Sequence, residues 1–584
     1  MPTSPASRDV DCDLVVVGSG AAGLSAAVAA AWHGLKVIVV EKDPVCGGAT
    51  AWSGGWAWVP LNPLSQADGI VEDPEQPRTC LRSALGEHYD EARVDALLRN
   101  GPHMVAFFEK RTALQFVSGS WIADILGHLP GAGTGGRSVG PKPYNARKLG
   151  KELRKKLRPQ LYETSLLGMG IMAGPDLQAF LHATTSLRSF FHAAWRVAFH
   201  VLDLITYRQG MQLVNGPALI ARLMKSADDL GVPLWVSAPA RRLLSDGGAV
   251  TGAVVETPDG EVTIRARCGV VLAAGGFPND VDRRRELFPR TPTGKEHWTL
   301  APPSCSGDGI SLGESVGAQF ETKLASPVAW CPVSLVPYRS GRVGSYPHIV
   351  DRGKPGLIGV LADGRRFVNE ADGYYQYVSA MVAAVPTDQE VASWLICDHA
   401  FQRHYPFGMA KPFPIPTWPY LRSGYLTRGR TIEELARKCG IDPAGLRGTI
   451  EEFNIHARNG EDPAFGRGTT AFNRASGDPE HKPNPSLAPI EKGPFYAIKV
   501  LPGSFGTFAG LRTDPQSRVL NGSGEPIPGL YAAGSDQANV MGGHYPSGGI
   551  NIGPALTFGY IAGRHAAGAT DYENVVPVPH NDGW

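Results

Sequence analysis

An α/β fold is what this sequence predicts, built on a parallel sheet whose strands come from distant parts of the chain, with an α+β domain inserted between them. A continuous β-branched run, Leu14–Val17, leads directly into a glycine turn and an alanine-rich helix. The same strand-to-glycine-turn pattern returns at 268–277 and at 529–536. Unbroken β-branched runs are typical of strands buried on both faces of a parallel sheet. The three places together predict one sheet that is discontinuous in sequence.

The first glycine turn has the spacing of a dinucleotide-binding motif. Gly18, Gly20 and Gly23 form GxGxxG, in which the glycines make the tight turn, admit a pyrophosphate and let the helix pack on the strand. The second strand, Val37–Val40, ends at Glu41, whose carboxylate would accept a hydrogen bond from a ribose hydroxyl. The N-terminus of the helix supplies amide donors for the diphosphate. This combination predicts a Rossmann-like unit that binds a dinucleotide.

A second glycine cluster follows the motif where a domain that binds only nicotinamide dinucleotides would continue into another helix. It suggests further backbone contact with a longer, flatter cofactor, and therefore FAD. The predicted cofactor-binding residues of the N-terminal region are Gly18, Gly20, Ala22, Gly23, Glu41, Lys42, Gly48, Ala49, Thr50, Ser53, Gly54 and Gly55.

With the later glycine turns, these features resemble the FAD-binding family that contains the fumarate reductase and succinate dehydrogenase flavoproteins and the 3-ketosteroid dehydrogenases. The resemblance covers residues 11–60, 265–320, 360–378 and 505–565. It implies that Asp536 approaches the ribityl or phosphate region, and that the last helix, from about Ile552, points its N-terminus at the flavin. The remaining residues implied to bind FAD, which we expect to be non-covalent, are Ala274, Gly275, Gly534, Gly549 and Ile550.

The stretch YPSGGINIGPALTFGYIAG resembles the C-terminal signature of the 3-ketosteroid dehydrogenases. The resemblance implies that Tyr545 and Gly549 hold a substrate carbonyl. The segment RFVNEADGYY resembles a segment of this family whose tyrosine serves as or assists the base, with Tyr374 as the match and Tyr375 as its rival. A proton next to a ring ketone would leave to this base, and a hydride would pass to flavin N5.

Two departures leave the ring position open. The stretch where the Δ1 enzymes carry a further tyrosine offers only Trp121 and Asp124. Ser547, two residues after Tyr545, resembles the Δ4-(5α) branch, in which this serine takes part in proton removal. We prefer Δ1 because the tail of the signature and the chain length are more similar to that branch.

The alternative reaction is that of an ene-reductase of the fumarate-reductase type. That branch clamps a dicarboxylate with several cations, but MGGHYPSGGINIG contains no arginine. Tyrosine and serine without a carboxylate clamp favour a neutral, apolar ketone that resembles a steroid. A quinone or another acceptor would then reoxidise the flavin.

The predicted domains are a FAD-binding domain at 1–285, a substrate-binding cap at 286–497 and a return to the FAD-binding domain at 498–584. A helical insertion at about 140–215 combines the basic run NARKLGKELRKKLR with the aromatic segment LRSFFHAAWRVAFHVLDLITYR. A solvated helix followed by a packed one fits this pattern. So does a peripheral membrane contact through 144–208, because a basic run beside a Phe- and Trp-rich amphipathic helix suits a lipid surface.

Composition excludes several other classes. The formal net charge is +1, so the chain as a whole lacks the positive charge of a nucleic-acid-binding protein. Eight single cysteines form no CxxC pair, and no metal site is indicated. The N-terminal MPTSPASRDVDCD contains no apolar segment, which predicts a cytoplasmic protein without a secretory signal.

Overall fold

The computed structural model describes residues 8–184 and 186–571. The ends of the first and last predicted domains, 1–7 and 572–584, and residue 185 of the predicted membrane-contact segment lie outside the described residues. The fold is mixed α/β. None of the helices in the described ranges has the length and the hydropathy needed to cross a membrane.

A six-stranded sheet joins segments that are far apart in sequence, as predicted. Val270–Leu272 pairs in parallel with Leu14–Val17 on one side and with Pro526–Ala532 on the other. Five of its strands are parallel, and the edge strand Arg518–Leu520 is antiparallel. The order across the sheet is Arg518–Leu520, Pro526–Ala532, Val270–Leu272, Leu14–Val17, Val37–Val40 and Leu234–Trp235.

The first and last long helices pack on each other against this sheet. Ala21–Trp32 and Ile552–Ala566 approach so closely that a Cβ added to Gly559 or Gly563 would overlap the backbone of the other helix. Ser25 Oγ donates to Leu556 O across the contact at 2.6 Å. The N-terminal glycine turn and the C-terminal signature are therefore held side by side.

A second, seven-stranded sheet is centred on the long strand Phe495–Thr507. This strand runs across the predicted boundary at 497/498, so the sheet takes residues from both sides of it. The strands around it are Trp298–Thr299, Val328–Pro337, Val343–Pro347, Leu357–Val360, Ser393–Cys397 and Thr427–Gly429.

Four smaller sheets complete the β structure. Their strands are Arg8–Cys12, Gly260–Ala266, Ala249–Thr257 and Ala240–Asp246; Ala57–Trp58, Ser138–Pro141 and Phe116–Ser118; Phe320–Glu321 and Gly510–Leu511; and Tyr144–Asn145 and Gln212–Leu213.

The other α-helices connect and cover the sheets. They are Pro63–Ala67, Glu75–Leu85, Glu91–Arg111, Lys151–Lys155, Pro175–Leu181, Leu187–Tyr207, Asn215–Asp229, Val281–Leu287, Asp308–Glu314, Tyr374–Ala384, His399–His404, Trp418–Arg422, Ile432–Cys439, Pro443–Ala457 and Ala471–Ser476. Short 3-10 turns occur at Gly48–Trp52, Gly86–His88, Ala146–Leu149, Tyr162–Thr164 and Gly534–Asp536.

The contact between the first and last helices predicts opposite outcomes for one substitution at two helical glycines. Gly563→Ala forces a Cβ onto Ala26 O, whereas Gly448→Ala, inside Pro443–Ala457, meets no atom within 4 Å. Both substitutions gain helix propensity, worth about 1 kcal/mol. Only Gly563→Ala also overpacks a helix contact, which costs about 1–3 kcal/mol. We expect the midpoint of thermal unfolding to fall for Gly563→Ala and to hold or rise for Gly448→Ala. Equal midpoints in differential scanning fluorimetry would contradict the close helix contact.

Candidate active site

A cavity of about 1020 Å³ lies where the six-stranded sheet, the Gly48–Trp52 turn and the seven-stranded sheet meet. Most of the residues predicted from the sequence line it. They are Gly18, Gly20, Ala22, Glu41, Lys42, Gly48, Ala49, Thr50, Ser53, Gly54, Gly55, Ala274, Gly275, Tyr374, Gly534, Tyr545, Gly549 and Ile552. Gly23, Tyr375, Asp536, Ser547 and Ile550 are not part of its lining.

The glycine turn has the geometry that a dinucleotide requires. Gly18 has φ +106°, and a Cβ there would overlap Ala273 O, so the turn can pass the neighbouring strand only with glycine. Leu24 N–H donates to Gly20 O at 3.0 Å as the helix begins. Ala22 lines the cavity, and its amide has no acceptor among the described residues. Free amide donors at a helix N-terminus fit a diphosphate.

Glu41 ties the turn to the end of the second strand. Its Oε2 accepts from Ser19 Oγ at 2.5 Å and from Ser19 N at 3.1 Å, and Oε1 accepts from Asp43 N at 2.9 Å. Burial raises the pKa of this carboxyl, while the bonds from Ser19 and Asp43 lower it. Because each carboxylate oxygen has two lone pairs, capacity remains to accept from a ribose hydroxyl.

Asp536 lies behind the cavity wall, although the resemblance implied that it approaches the ribityl or phosphate region. Its two oxygens accept from Ala274 N at 2.5 Å and from Gly276 N at 2.9 Å. Burial raises its pKa to about 6, and the two backbone donors partly offset that rise. Its observed role is to hold the 274–276 turn, which lines the cavity, against the C-terminal part of the sheet.

Tyr374 and Tyr545 face each other on the cavity wall. Their ring centroids are 4.9 Å apart and the planes are 81° apart. Asn551 Nδ2 donates to the Tyr545 hydroxyl at 3.3 Å. Burial raises the pKa of both phenols, and the Tyr545 hydroxyl partly offsets the rise at Tyr374. Tyr374 is the first residue of the helix Tyr374–Ala384, so this helix begins at the edge of the cavity.

The two rival residues are placed differently. The Tyr375 hydroxyl donates to Gly543 O at 2.9 Å, away from the cavity lining. Ser547 is 1% exposed and its Oγ has no hydrogen-bond partner among the described residues. Of the two residues noted in the first third of the chain, Asp124 binds Arg137 and Trp58 Nε1, whereas Trp121 lines the cavity.

Besides the exposed Arg403, which lies over the Phe413 ring, sequence reasoning missed three cations in the cavity wall: Arg352, Lys354 and Lys411. The first two are 2% and 3% exposed, and none of the three forms an ion pair with a described residue. Burial lowers the pKa of each lysine to about 8. Lys411 belongs to the proline-rich segment whose Phe413 and Ile415 also line the cavity.

The profile of the FAD binding domain family matches residues 13–552. The chain belongs to this family. This flavoprotein is an FAD-dependent oxidoreductase, and the prediction of FAD as its cofactor is confirmed.

Two relatives of this flavoprotein and one solved structure similar to it are dehydrogenases by name. It is 42% identical to 4-oxocyclohex-2-ene-1-carboxylate 5-dehydrogenase of Sinomonas cyclohexanicum, over 96% of this chain and 94% of the relative. It is 37% identical to 3-oxosteroid 1-dehydrogenase of Mycobacterium tuberculosis, over 95% and 98%. The crystal structure of 3-ketosteroid Δ1-dehydrogenase from Sterolibacterium denitrificans, in complex with 1,4-androstadiene-3,17-dione, superimposes with a TM-score of 0.88 at 35% identity, over 96% and 99%.

Glu41 is the residue that tests the cofactor end of this cavity. We expect Glu41→Ala to weaken FAD binding by about 10- to 100-fold, because charge-assisted hydrogen bonds are worth about 1.5–3 kcal/mol. Glu41→Gln, which keeps one acceptor oxygen, should fall between Ala and wild type. Glu87→Ala is the control, since that side chain is 89% exposed. FAD content after gel filtration and titration of the apoprotein measure the effect; full FAD retention in Glu41→Ala would contradict it.

Proposed function

We propose that this flavoprotein desaturates a carbon–carbon bond next to a ring ketone. The observation that carries the proposal is the pair of facing phenols, Tyr374 and Tyr545, on the wall of the cavity that also holds the dinucleotide motif. Two buried phenols with different partners can divide the work of binding a ketone oxygen and removing a neighbouring proton.

Tyr545 and Gly549 are assigned to the ketone oxygen. Both line the cavity, and the Gly549 N–H has no acceptor within the part of the chain that the structure describes. Asn551 donates to the Tyr545 oxygen, so the phenol keeps its own proton as a donor, which can turn from Tyr374 to the ketone. Two donors of this kind stabilise the negative charge that develops on the oxygen as the α-proton leaves.

Tyr374 is assigned as the base, because the Tyr375 hydroxyl donates to Gly543 O and Tyr375 is not part of the cavity lining. Tyr374 takes the proton, and the second hydrogen leaves the adjacent carbon with its electron pair. FAD, when bound, supplies the acceptor for that hydride. A quinone or another oxidant must then take two electrons from the reduced flavin for a second turnover.

For the ring position we propose Δ1. Ser547, the residue that the Δ4-(5α) reading requires, lies in the wall and not on the cavity lining. The Δ1-dehydrogenase from Sterolibacterium denitrificans supports this choice by its 35% identity.

A neutral steroid-like ketone is the first candidate substrate. A second candidate, a smaller ring ketone that carries a carboxylate, is supported by the three cations in the wall. Arg352 directs Nε to His348 O and Nη1 to Glu370 O, while Nη2 has no acceptor among the described residues. Lys411 Nζ likewise has neither a hydrogen bond nor an ion pair there, and its charged group faces the Tyr346 ring at 5.8 Å. The relative from Sinomonas cyclohexanicum acts, by its name, on such an oxo acid.

The ene-reductase alternative has less support. Arg366, the cation of the RFVNE segment, forms ion pairs with Glu370 at 2.7 Å and with Asp462 at 2.8 Å. What remains is one cationic wall, which suits one carboxylate beside a ketone better than a dicarboxylate.

Dye-coupled turnover of the holoenzyme tests the function and its substrate class. We expect reduction of the dye with 4-androstene-3,17-dione, giving the 1,4-diene, or with 4-oxocyclohex-2-ene-1-carboxylate, giving the ring diene. Turnover of the oxo acid that falls at least about tenfold in kcat/KM in Lys411→Gln, with the steroid unaffected, would select the second candidate. Formation of the 4-ene from 5α-androstane-3,17-dione alone would move the reaction to the Δ4 position, and no turnover of any of these ketones would contradict the proposal.

Matched phenylalanine variants test the two tyrosines. We expect Tyr374→Phe to lower kcat by about 10²–10⁴-fold, the usual contribution of a positioned base, and Tyr375→Phe to lower it by far less. Because burial raises the pKa of Tyr374, the phenolate fraction at neutral pH is small, so wild-type kcat should rise about tenfold per pH unit from neutral to mildly alkaline pH. Tyr374→Phe should lose this slope and Tyr375→Phe should keep it. A slope that survives in Tyr374→Phe would exclude Tyr374 as the base.

A further inference from the structure

The helix Leu187–Tyr207 presents its apolar side to solvent. Ten of its large hydrophobic side chains are exposed, and one stripe runs through Phe191, Trp195, Leu202 and Ile205, which are 67%, 64%, 55% and 76% exposed. A helix on the surface of a globular protein normally turns such a stripe toward the core. Monomeric soluble proteins rarely expose a contiguous apolar patch of more than a few hundred Å².

Ion pairs fix this reversed orientation. Arg196 Nη1 binds Asp176 at 2.8 Å on the side that faces the protein. Further along the same side, the buried Asp203 accepts from Arg147 Nη2 at 2.6 Å, and the buried His200 Nε2 contacts a backbone carbonyl at 3.0 Å. Turning the apolar stripe inward would break these bonds and bury unpaired charge, which is costly.

Basic residues border the C-terminal end of the stripe. The guanidinium groups of Arg147 and Arg154 lie 5.0 and 5.7 Å from the centre of the Tyr207 ring. The segment 147–158 carries seven Lys and Arg residues, of which Arg158 is buried and paired with Asp43, and one acidic residue, Glu152. A second copy of the chain placed on this face would bring two such basic segments together, since a two-fold interface pairs the same surface with itself. An anionic surface is the complementary partner.

We infer that this helix docks the protein on an anionic lipid surface, with Phe191, Trp195, Leu202 and Ile205 in the interfacial region and the 147–158 segment on the headgroups. Aromatic and aliphatic residues on one side and Lys and Arg at the border are the composition of helices that lie in the membrane interface. The inference rests on the surface of the helix and is independent of the proposed reaction.

The docked face adjoins the rim of the cavity. The helix Pro175–Leu181 packs against Leu187–Tyr207, with Phe180 and His192 rings 6.3 Å apart, and Phe180 also lines the cavity. The exposed Phe413 belongs to the lining as well. Docking therefore brings the cavity rim to the lipid, from which an apolar ketone or a lipid-soluble electron acceptor can enter without crossing water.

Cosedimentation of the holoenzyme with vesicles tests this inference. The vesicles contain phosphatidylcholine alone or phosphatidylcholine and phosphatidylglycerol in equal parts. We expect wild type to partition onto the anionic vesicles and the triple variant Trp195→Ser, Leu202→Ser, Ile205→Ser to lose at least about tenfold in partition coefficient. The control is Val71→Ser, Val343→Ser, Ile455→Ser, three exposed apolar residues elsewhere, which should bind as wild type does.

Retained FAD absorbance and dye-coupled turnover in the triple variant separate loss of docking from loss of folding. Lys148→Gln with Lys151→Gln and Lys155→Gln should weaken binding to anionic vesicles only. The inference is overturned if wild type stays in the supernatant at low salt, or if the triple variant sediments as wild type does. It is also overturned if light scattering finds a wild-type dimer that the triple variant dissociates, since a second copy would then cover the stripe.

Discussion

The contact between the first and the last long helix is the constraint on which the rest of the structure depends. Gly559 and Gly563 let Ile552–Ala566 lie against the backbone of Ala21–Trp32, and Ser25 Oγ bonds Leu556 O. The two helices flank the two glycine segments that face the cavity, residues 18–20 and 545–549. More than five hundred residues separate these segments, and a shift of one helix along the other would move Tyr545 relative to the dinucleotide motif. Small residues at a helix interface serve here to position a site.

A buried ionic network positions the other tyrosine of the cavity, Tyr374. Glu370 precedes the Tyr374 helix by four residues and is bound by Arg366 at 2.7 Å and by Arg467 at 3.0 Å. Burial alone would raise the pKa of Glu370, but the two arginines lower it to about 2. Replacing such a network by apolar residues is often neutral for stability, because desolvation offsets the attraction. Its directional bonds instead fix where the chain turns into the helix, and so where Tyr374 enters the cavity.

The sequence predicted what local patterns encode. Local periodicity or spacing marks the β-branched strands, the glycine turns and the segments 268–277 and 529–536. The parallel sheet that joins them follows from these local patterns. The orientation of Asp536 was not predictable, because its partners, Ala274 and Gly276, lie 260 residues away. Arg352 and Lys354 also reach the cavity only through tertiary packing, and a basic residue in a loop carries no sign of whether it faces solvent. The outward face of Leu187–Tyr207 was left open for the same reason: the amphipathic pattern gives the stripe but not the side on which the core lies.

The burial of Tyr374 and Tyr545 has two consequences that act in opposite directions. Desolvation disfavours phenolate, which lowers the fraction of Tyr374 that is ready to accept a proton and keeps Tyr545 a hydrogen-bond donor. The same low-dielectric surroundings strengthen each hydrogen bond to a developing charge. A ketone oxygen held by Tyr545 and Gly549 gains from that strengthening as the proton leaves, so the cost of forming phenolate at Tyr374 is offset at the other end of the same reacting group. The two rings are in contact, at 4.9 Å between centroids, and this brings both effects into one cavity. A ring ketone with an acidic α-hydrogen is the kind of substrate on which both effects act. The pair of tyrosines therefore indicates desaturation more strongly than either residue alone does.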